Sequence, residues 1–276
     1  MRQNGLKKVL LGFSGGVDSS AAALILKERG YEVAPLYFNV LSETNSSQLK
    51  KAENAASALG LELLHADISK EFEKLVIQPF LAHRQAGITP NPCVNCNPCV
   101  KFALLERLAD EIGAEFIATG HFARVADGPG DRRIYRARCA DKDQSYILYR
   151  LNPDIISRLI LPIGDADSKE ELRELLRNQG IPSSEEKESQ DMCFVIGESS
   201  ADYIASRGCS GKKGRFLLSD GSVVGEHGGI ALYTVGQRKG LGIALGKPYY
   251  VKSLNADTGD ILLAEDAQLY DYEAFV

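Results

Sequence analysis

The stretch KKVLLGFSGGVDSS, Lys7 to Ser20, decides the fold. Its first half, KKVLLGF (7–13), is a short unbroken apolar run bounded by glycine and serine, the pattern of a buried strand. Its second half, Ser14-Gly15-Gly16-Val17-Asp18-Ser19-Ser20, puts glycines and hydroxyls where that strand turns into a helix. Glycines let the backbone approach an anion closely, and the free N–H groups at a helix start attract one. Asp18 fits beside phosphate where it holds a metal ion or supports the turn. No lysine stands where a Walker A loop needs one, and no G-x-G-x-x-G spacing is present, which excludes a P-loop kinase and a dinucleotide site. SGG alone reads as a helix cap after a buried strand; the whole of SGGVDSS between strand and helix reads as a phosphate loop.

Working outward, a helical pattern runs from Asp18 to about Arg29, and VAPLYFNV (33–40) is a second strand. Leu49, Ala52, Ala56 and Leu59 mark a helix over about 46–59, and LELLHADI (61–68) a third strand. A helix over about 69–82, a Pro-rich loop and a helix over about 100–112 follow, then the strand EFIAT (115–119), which ends in Gly120-His121. Strands alternating with helices predict an α/β fold: a Rossmann-like, doubly wound parallel sheet that binds ligands at the carboxyl ends of its strands. After about residue 125 the periodicity changes. A Gly-rich turn (127–131) leads into the strand RRIYRARC, helices are expected at 153–160 and 168–179, and short β runs punctuated by glycine predominate beyond 210. The expected division is a nucleotide-binding domain over 1–160 and a smaller mixed α+β domain over 161–276.

With 44% hydrophobic and 25% charged residues in 276, the composition is that of an ordinary globular chain, with no apolar run of membrane-spanning length. The N-terminal apolar stretch carries no small-residue cleavage site, so the expected compartment is the cytoplasm. The net charge of −5 does not advertise nucleic-acid binding, but six acidic residues and no Lys or Arg fall in 254–276; without that −6 the first 253 residues carry about +1. Arg132, Arg133, Arg136 and Arg138, then Lys212, Lys213 and Arg215, then Arg238 and Lys239, form three basic groups that suit phosphate contact or simply a solvated surface. Of six cysteines, Cys93, Cys96 and Cys99 crowd into seven positions, which in a reducing compartment points to metal binding or catalysis.

SGGVDSS (14–20), TPNPCVNCN (89–97), KF (101–102), ATGHFAR (118–124), KDQSYIL (142–148), DMCF (191–194), GEHGG (225–229) and YTVGQRKGLGI (233–243) resemble, in order, the motifs of the tRNA-specific 2-thiouridylases. These belong to the PP-loop ATP pyrophosphatase superfamily. The resemblance implies an enzyme that uses ATP with Mg²⁺ to adenylate the C2 carbonyl oxygen of a tRNA uridine, releasing pyrophosphate, and then replaces that oxygen with sulfur. The sulfur donor would be a protein persulfide relay or inorganic sulfide. Adenylation makes a poor leaving group a good one, and a cysteine thiolate or persulfide is a suitable nucleophile.

By the same resemblance, Gly12, Phe13, Ser14, Gly15, Gly16, Val17, Asp18, Ser19, Ser20, Phe38 and Gly120 bind ATP, Phe38 by strand position alone. Cys96 is the nucleophile and Cys193 the partner that carries sulfur as a persulfide and forms a transient disulfide with it. Asn91, Pro92 and Cys93 contact the target base, and Lys142, Asp143 and Gln144 contact tRNA. Many family members have aspartate at the position of Cys93. Cys93, Cys96 and Cys193 are therefore expected to hold a [4Fe–4S] cluster with one open iron, beside two alternatives: the persulfide route without a cluster, and a zinc site completed by His83 or His121. A local Cys93/Cys96/Cys99 site would resemble a ferredoxin-type run, but Ala103 stands where its next cysteine belongs. His121 either helps bind nucleotide or is structural, His65 reads as structural, and His227 receives no role. Family members continue into a further β-barrel domain, which this chain is expected to lack. A PP-loop enzyme moving sulfur to or from another nucleobase or metabolite is the alternative function.

Overall fold

The computed structural model describes residues 6–41, 46–128, 130–185 and 192–270. In chain order the main elements are β1 (Lys8–Gly12), α1 (Val17–Glu28), β2 (Glu32–Asn39), α2 (Ser46–Ala58), β3 (Leu64–Asp67), α3 (Ser69–Phe72), α4 (Gln78–Gln85), α5 (Pro92–Cys96), α6 (Phe102–Glu111) and β4 (Phe116–Thr119). Then come β5 (Ala123–Asp127), β6 (Arg132–Arg136), α7 (Pro153–Arg158), β7 (Leu159–Ile160), α8 (Lys169–Asn178), α9 (Ser200–Ser206), β8 (Gly214–Leu217), β9 (Val223–His227), β10 (Tyr250–Leu254) and β11 (Ile261–Ala264). Among the described residues no helix is long and apolar enough to cross a membrane.

The chain divides into two compact units, and not by a single cut. One comprises Met1–Val76 and Cys93–Glu188, the other Ile77–Pro92 and Ser189–Val276. Residues 161–188 thus fall with the first unit, because Leu172 and Leu176 of α8 bury against the alanines of α1. The short stretch 77–92 falls with the second, because Arg84 of α4 is buried there and donates from Nε and Nη2 to the Ala231 carbonyl (3.0 and 2.6 Å) and from Nη1 to Thr234 Oγ1 (2.9 Å).

The first unit is built on a five-stranded sheet in the order β3-β2-β1-β4-β7, every pair parallel. β1 lies at its centre and shows why VLLGF reads as continuously apolar. Val9 and Leu11 enter a core with α1, α2 and α8, while Leu10 enters a second core with Phe102, Leu105 and Ile117 on the opposite face. Both faces of the strand are buried, so alternation disappears from the sequence. α1 is apolar nearly all round, as a helix sunk in a core must be. Arg132–Arg136 pairs with Ala123–Asp127 as an antiparallel hairpin in the same unit.

The second unit carries a mixed sheet in the order β10-β11-β8-β9, with β11 and β8 parallel and the outer pairs antiparallel. Its core gathers Phe216, Ile230, Leu241, Val251, Ile261 and Leu263. His227 is part of this packing: its ring lies 5.1 Å from Phe216 and 5.3 Å from Tyr233, and Nε2 is 2.9 Å from the Gly259 carbonyl oxygen.

Of the stretch expected as a Pro-rich loop, residues 86–91 stay irregular, but from Pro92 onward it is helical. α5 leads through a π-helical turn, Asn97–Lys101, directly into α6. Pro92 opens α5, where a missing N–H costs nothing, and Pro98 sits in the widened turn, a common form of helix irregularity near functional sites.

Candidate active site

In the first unit the chain leaves β1 toward β2 on one side, while β4 pairs with β1 on the other. The carboxyl ends of β1 and β4 therefore flank a topological switch point, where an open α/β sheet forms its crevice. Ser14–Ser20 follows β1 there, and Gly120-His121 follows β4.

The Ser14–Ser20 loop is closed by its own hydroxyls. Ser14 N donates to Ser19 Oγ (3.2 Å), and Ser19 Oγ donates to the Gly16 carbonyl (3.2 Å), which also accepts Ser20 N (3.0 Å). Gly16 caps α1 with extended backbone and no side-chain cap, so no side chain of the cap residue covers the first-turn N–H groups. Gly15 has φ +73°, and a Cβ there would stand 2.6 Å from Ala52 Cα. A Cβ at Gly12 would stand 3.1 Å from the Phe38 ring, so Phe38 lies directly against the start of the loop. A Cβ at Gly120 would meet the backbone of Asp18 and Ser19 at 2.8 Å. Gly15 and Gly120 thus let two backbones close around the crevice, and Gly12 lets the Phe38 ring approach it. Ser20 is fully buried, and its hydroxyl has no hydrogen-bond partner among the described residues.

Lys169, the first residue of α8, reaches this loop: its Nζ is 3.0 Å from Asp18 Oδ2, with both side chains mostly covered. A lysine 151 residues on in the chain thus stands against the loop. Beside the loop, a cavity of about 310 Å³ opens between Gly15, Lys50, Lys51, Asn54 and Ser183.

His121 Nδ1 is 2.7 Å from Thr119 Oγ1, and its ring stacks on Phe102 at 6.1 Å. Burial, and secondly the charge of Lys101, push its pKa down to about 3. It is a neutral side chain fixing the start of α6 to the end of β4. One turn before α6 lies the cysteine segment: Cys96 is buried, Cys93 and Cys99 are exposed. Two asparagines bracket Cys96 and tie it to the segment 144–150. Asn95 Oδ1 accepts from Arg150 (2.5 Å), and buried Asn97 donates to the Ile147 carbonyl (3.3 Å).

Asp143 and Gln144 serve this segment's own architecture. Asp143 accepts from Ala137 N (2.7 Å) and Ser145 Oγ (2.8 Å). Burial alone would raise its pKa, but these bonds outweigh burial and hold it below the usual carboxylate range. Gln144 and Phe122 exchange two bonds, Gln144 N to the Phe122 carbonyl (2.7 Å) and Phe122 N to Gln144 Oε1 (2.9 Å). Lys142 stands on the same segment, partly exposed.

In the second unit, Asn91 immediately precedes Pro92 at the start of α5. Cys193 is exposed on a turn held by the next residue, since Phe194 is buried with ring contacts of 5.5 Å to both Phe80 and Tyr203. Asp191, also part of the DMCF stretch, lies outside the described residues. Among the described residues no three His, Cys, Asp or Glu side chains are placed to share a metal ion. Lys169 and Arg150 lie outside the motif stretches; only the fold brings them to these positions.

Comparison with known proteins agrees with this arrangement. A family model described as a tRNA methyl transferase HUP domain matches residues 7–197, and one described as a tRNA methyl transferase PRC-barrel domain matches 202–265. The chain is 42% identical over 265 residues to tRNA-specific 2-thiouridylase MnmA of Desulforudis audaxviator, covering 95% of this chain and 76% of the relative. It is 38% identical over 275 residues to tRNA-specific 2-thiouridylase MnmA 1 of Clostridium tetani, covering 96% and 75%. A solved 4-thiouridine synthetase–RNA complex with bound ATP aligns at TM-score 0.43 and 18% identity over 68% of this chain and 45% of that one, too loosely to place a ligand. By the extent of these matches, the chain belongs to the tRNA-specific 2-thiouridylase family, a family of sulfurtransferases.

Proposed function

We propose that this chain thiolates a tRNA uridine at the expense of ATP. The observation that carries the reading is the uncapped, glycine-lined start of α1 at the β1/β4 switch point, with Lys169 brought to it and the Cys96 segment anchored beside the same strand end. A triphosphate suits this place on electrostatic grounds, because the first-turn N–H groups and the helix dipole favour negative charge. Mg²⁺ would arrive with ATP as the MgATP substrate, beside Asp18 and its partner Lys169.

The uridine O2 attacks the α-phosphorus, the α–β bridging P–O bond breaks, and pyrophosphate leaves with its electron pair. Lys169 is suited to offset the negative charge on the phosphates, with Asp18 as its resting partner. A sulfur nucleophile then adds to C2, and AMP departs carrying the uridine oxygen. Family resemblance gives Cys193 the role of sulfur carrier and Cys96 that of the nucleophilic thiolate. When the carrier is a persulfide, its S–S bond breaks, the two cysteines end as a disulfide, and a thiol reductant returns two electrons. No step is routed through an iron–sulfur cluster. Of the two activities in the comparisons' names, methyl transfer and thiolation, the phosphate loop and Cys96 support thiolation.

The test is incubation with ATP, a sulfide or persulfide source and unmodified tRNA, with nucleosides resolved by mass spectrometry. Thiouridine with matching AMP and pyrophosphate is expected, and its loss in Cys96→Ser with ATP binding retained. AMP formed on a small molecule without thiouridine would instead favour a sulfur-transfer enzyme of another substrate. Stoichiometric iron and sulfide in protein purified without oxygen would favour the route through a cluster on Cys93, Cys96 and Cys193.

A further inference from the structure

The segment 144–150 is pinned more firmly than an ordinary surface loop. Gln144 is bonded twice to Phe122, Ile147 O accepts from Asn97, Arg150 bonds Asn95, and Ile147 and Leu148 are buried in the core of the first unit. Yet the two tyrosines of this segment stand out from it: Tyr146 is 61% and Tyr149 70% exposed. A pinned backbone here holds two rings in solvent. Lys142 and Arg150 stand on or beside the same segment, whereas Arg132, Arg133, Arg138 and Arg158 are each paired with an aspartate outside it. Arg150, next to Tyr149, is also the residue bonded to Asn95, one position before Cys96.

We infer that Tyr146 and Tyr149 form a stacking platform for unpaired nucleotides of an RNA, registered to the cysteine segment by the Asn95–Arg150 and Asn97–Ile147 bonds. Exposed aromatic rings with cations close by in the chain suit single-stranded RNA, whose bases offer free π faces. A duplex keeps its bases stacked on each other and would gain only the charge contribution. The inference rests on the thiolase reading, and it assigns to these two tyrosines the part of binding that does not depend on charge.

Three proteins test it: wild type, Tyr146→Ala/Tyr149→Ala and Tyr146→Phe/Tyr149→Phe. Each is titrated with unmodified tRNA and with a short oligouridylate at several salt concentrations, with ATP affinity and melting temperature measured alongside. Stacking of about 1–3 kcal/mol per base sets a loss of about fivefold or more in Kd per ring. The alanine variant should therefore bind both RNAs more weakly by a factor of about 20 or more. Its slope of log K against log salt should match wild type, because no phosphate contact is removed, and phenylalanine should restore affinity. Alanine binding within twofold of wild type overturns the platform. So does a loss that arrives with a shallower salt slope or a fall in melting temperature. Wild-type protein that neither binds nor thiolates tRNA would sink the thiolase reading itself; wild type that does both, with indifferent tyrosines, would sink only the platform.

Discussion

Replacing Gly120 by alanine perturbs the crevice at the point where two backbones cross. The added methyl would stand 2.8 Å from the carbonyl carbon and oxygen of Asp18 and from Ser19 N. Carbon contacts relax at roughly 3.5 Å or more, so the first turn of α1 must move by about 0.7 Å. The obstacle is main chain, and no side-chain rotation can relieve it. Overpacking of this kind costs about 1–3 kcal/mol, a fall of about 2–12 °C in melting temperature at the roughly 2–4 °C per kcal/mol of a large domain. The nucleotide should suffer separately. The displaced turn carries the N–H groups assigned to phosphate, and losing one charge-assisted bond of about 1.5–3 kcal/mol weakens ATP by about tenfold or more. Thermal melting and ATP calorimetry on Gly120→Ala read both effects, with Gly228→Ala, whose Cβ meets nothing within 4 Å, as the control. A Gly120→Ala protein that melts early yet binds ATP within twofold of wild type would refute the placement of the phosphates on this turn.

Two further outcomes are expected. Lys169→Met should lower pyrophosphate release at least tenfold and cost about 1–3 kcal/mol of stability, because it removes one partner of a mostly covered ion pair; unchanged turnover would make the pair purely structural. His121, held near a pKa of about 3 by burial and by Lys101, stays neutral in the native state while the unfolded chain takes up a proton below about 6.5. Stability should therefore fall as pH drops from about 6.5 toward 3, His121→Asn should flatten that part of the profile, and an imidazole seen by NMR to titrate near 6.5 would contradict it.

The sheet was readable where burial imposes one pattern on the chain. Val9, Leu10 and Leu11 must be apolar because they feed cores on opposite faces, and the glycines and serines that follow mark the turn into α1. Contacts between distant segments were not readable. Nothing near Gly120 in the sequence says that it faces Asp18, and nothing in the start of α8 says that Lys169 reaches the loop. Prolines misled at 92–98, where one occupies a first helical turn and another sits in a π-helical turn, so a helix was read as a loop. In the segment 142–148, resemblance pointed to Lys142, Asp143 and Gln144; the structure adds that Asp143 and the Gln144 carbonyl oxygen also bond the loop, and that Tyr146 and Tyr149, given no role on sequence grounds, stand exposed beside them. The two units are discontinuous because Arg84 and its neighbours pack far from their place in the chain.

The central claim is that the uridine oxygen leaves on AMP, and an isotope follows it directly. A tRNA carrying ¹⁸O at the C2 carbonyl of its target uridine is incubated with the protein, MgATP and a sulfur source, and the AMP is analysed by mass spectrometry. One ¹⁸O per thiouridine should appear in the phosphate of AMP, because the bond broken in the second step is the C2–O bond. Unlabelled AMP formed alongside thiouridine, with the ¹⁸O recovered in water, would contradict activation by adenylation.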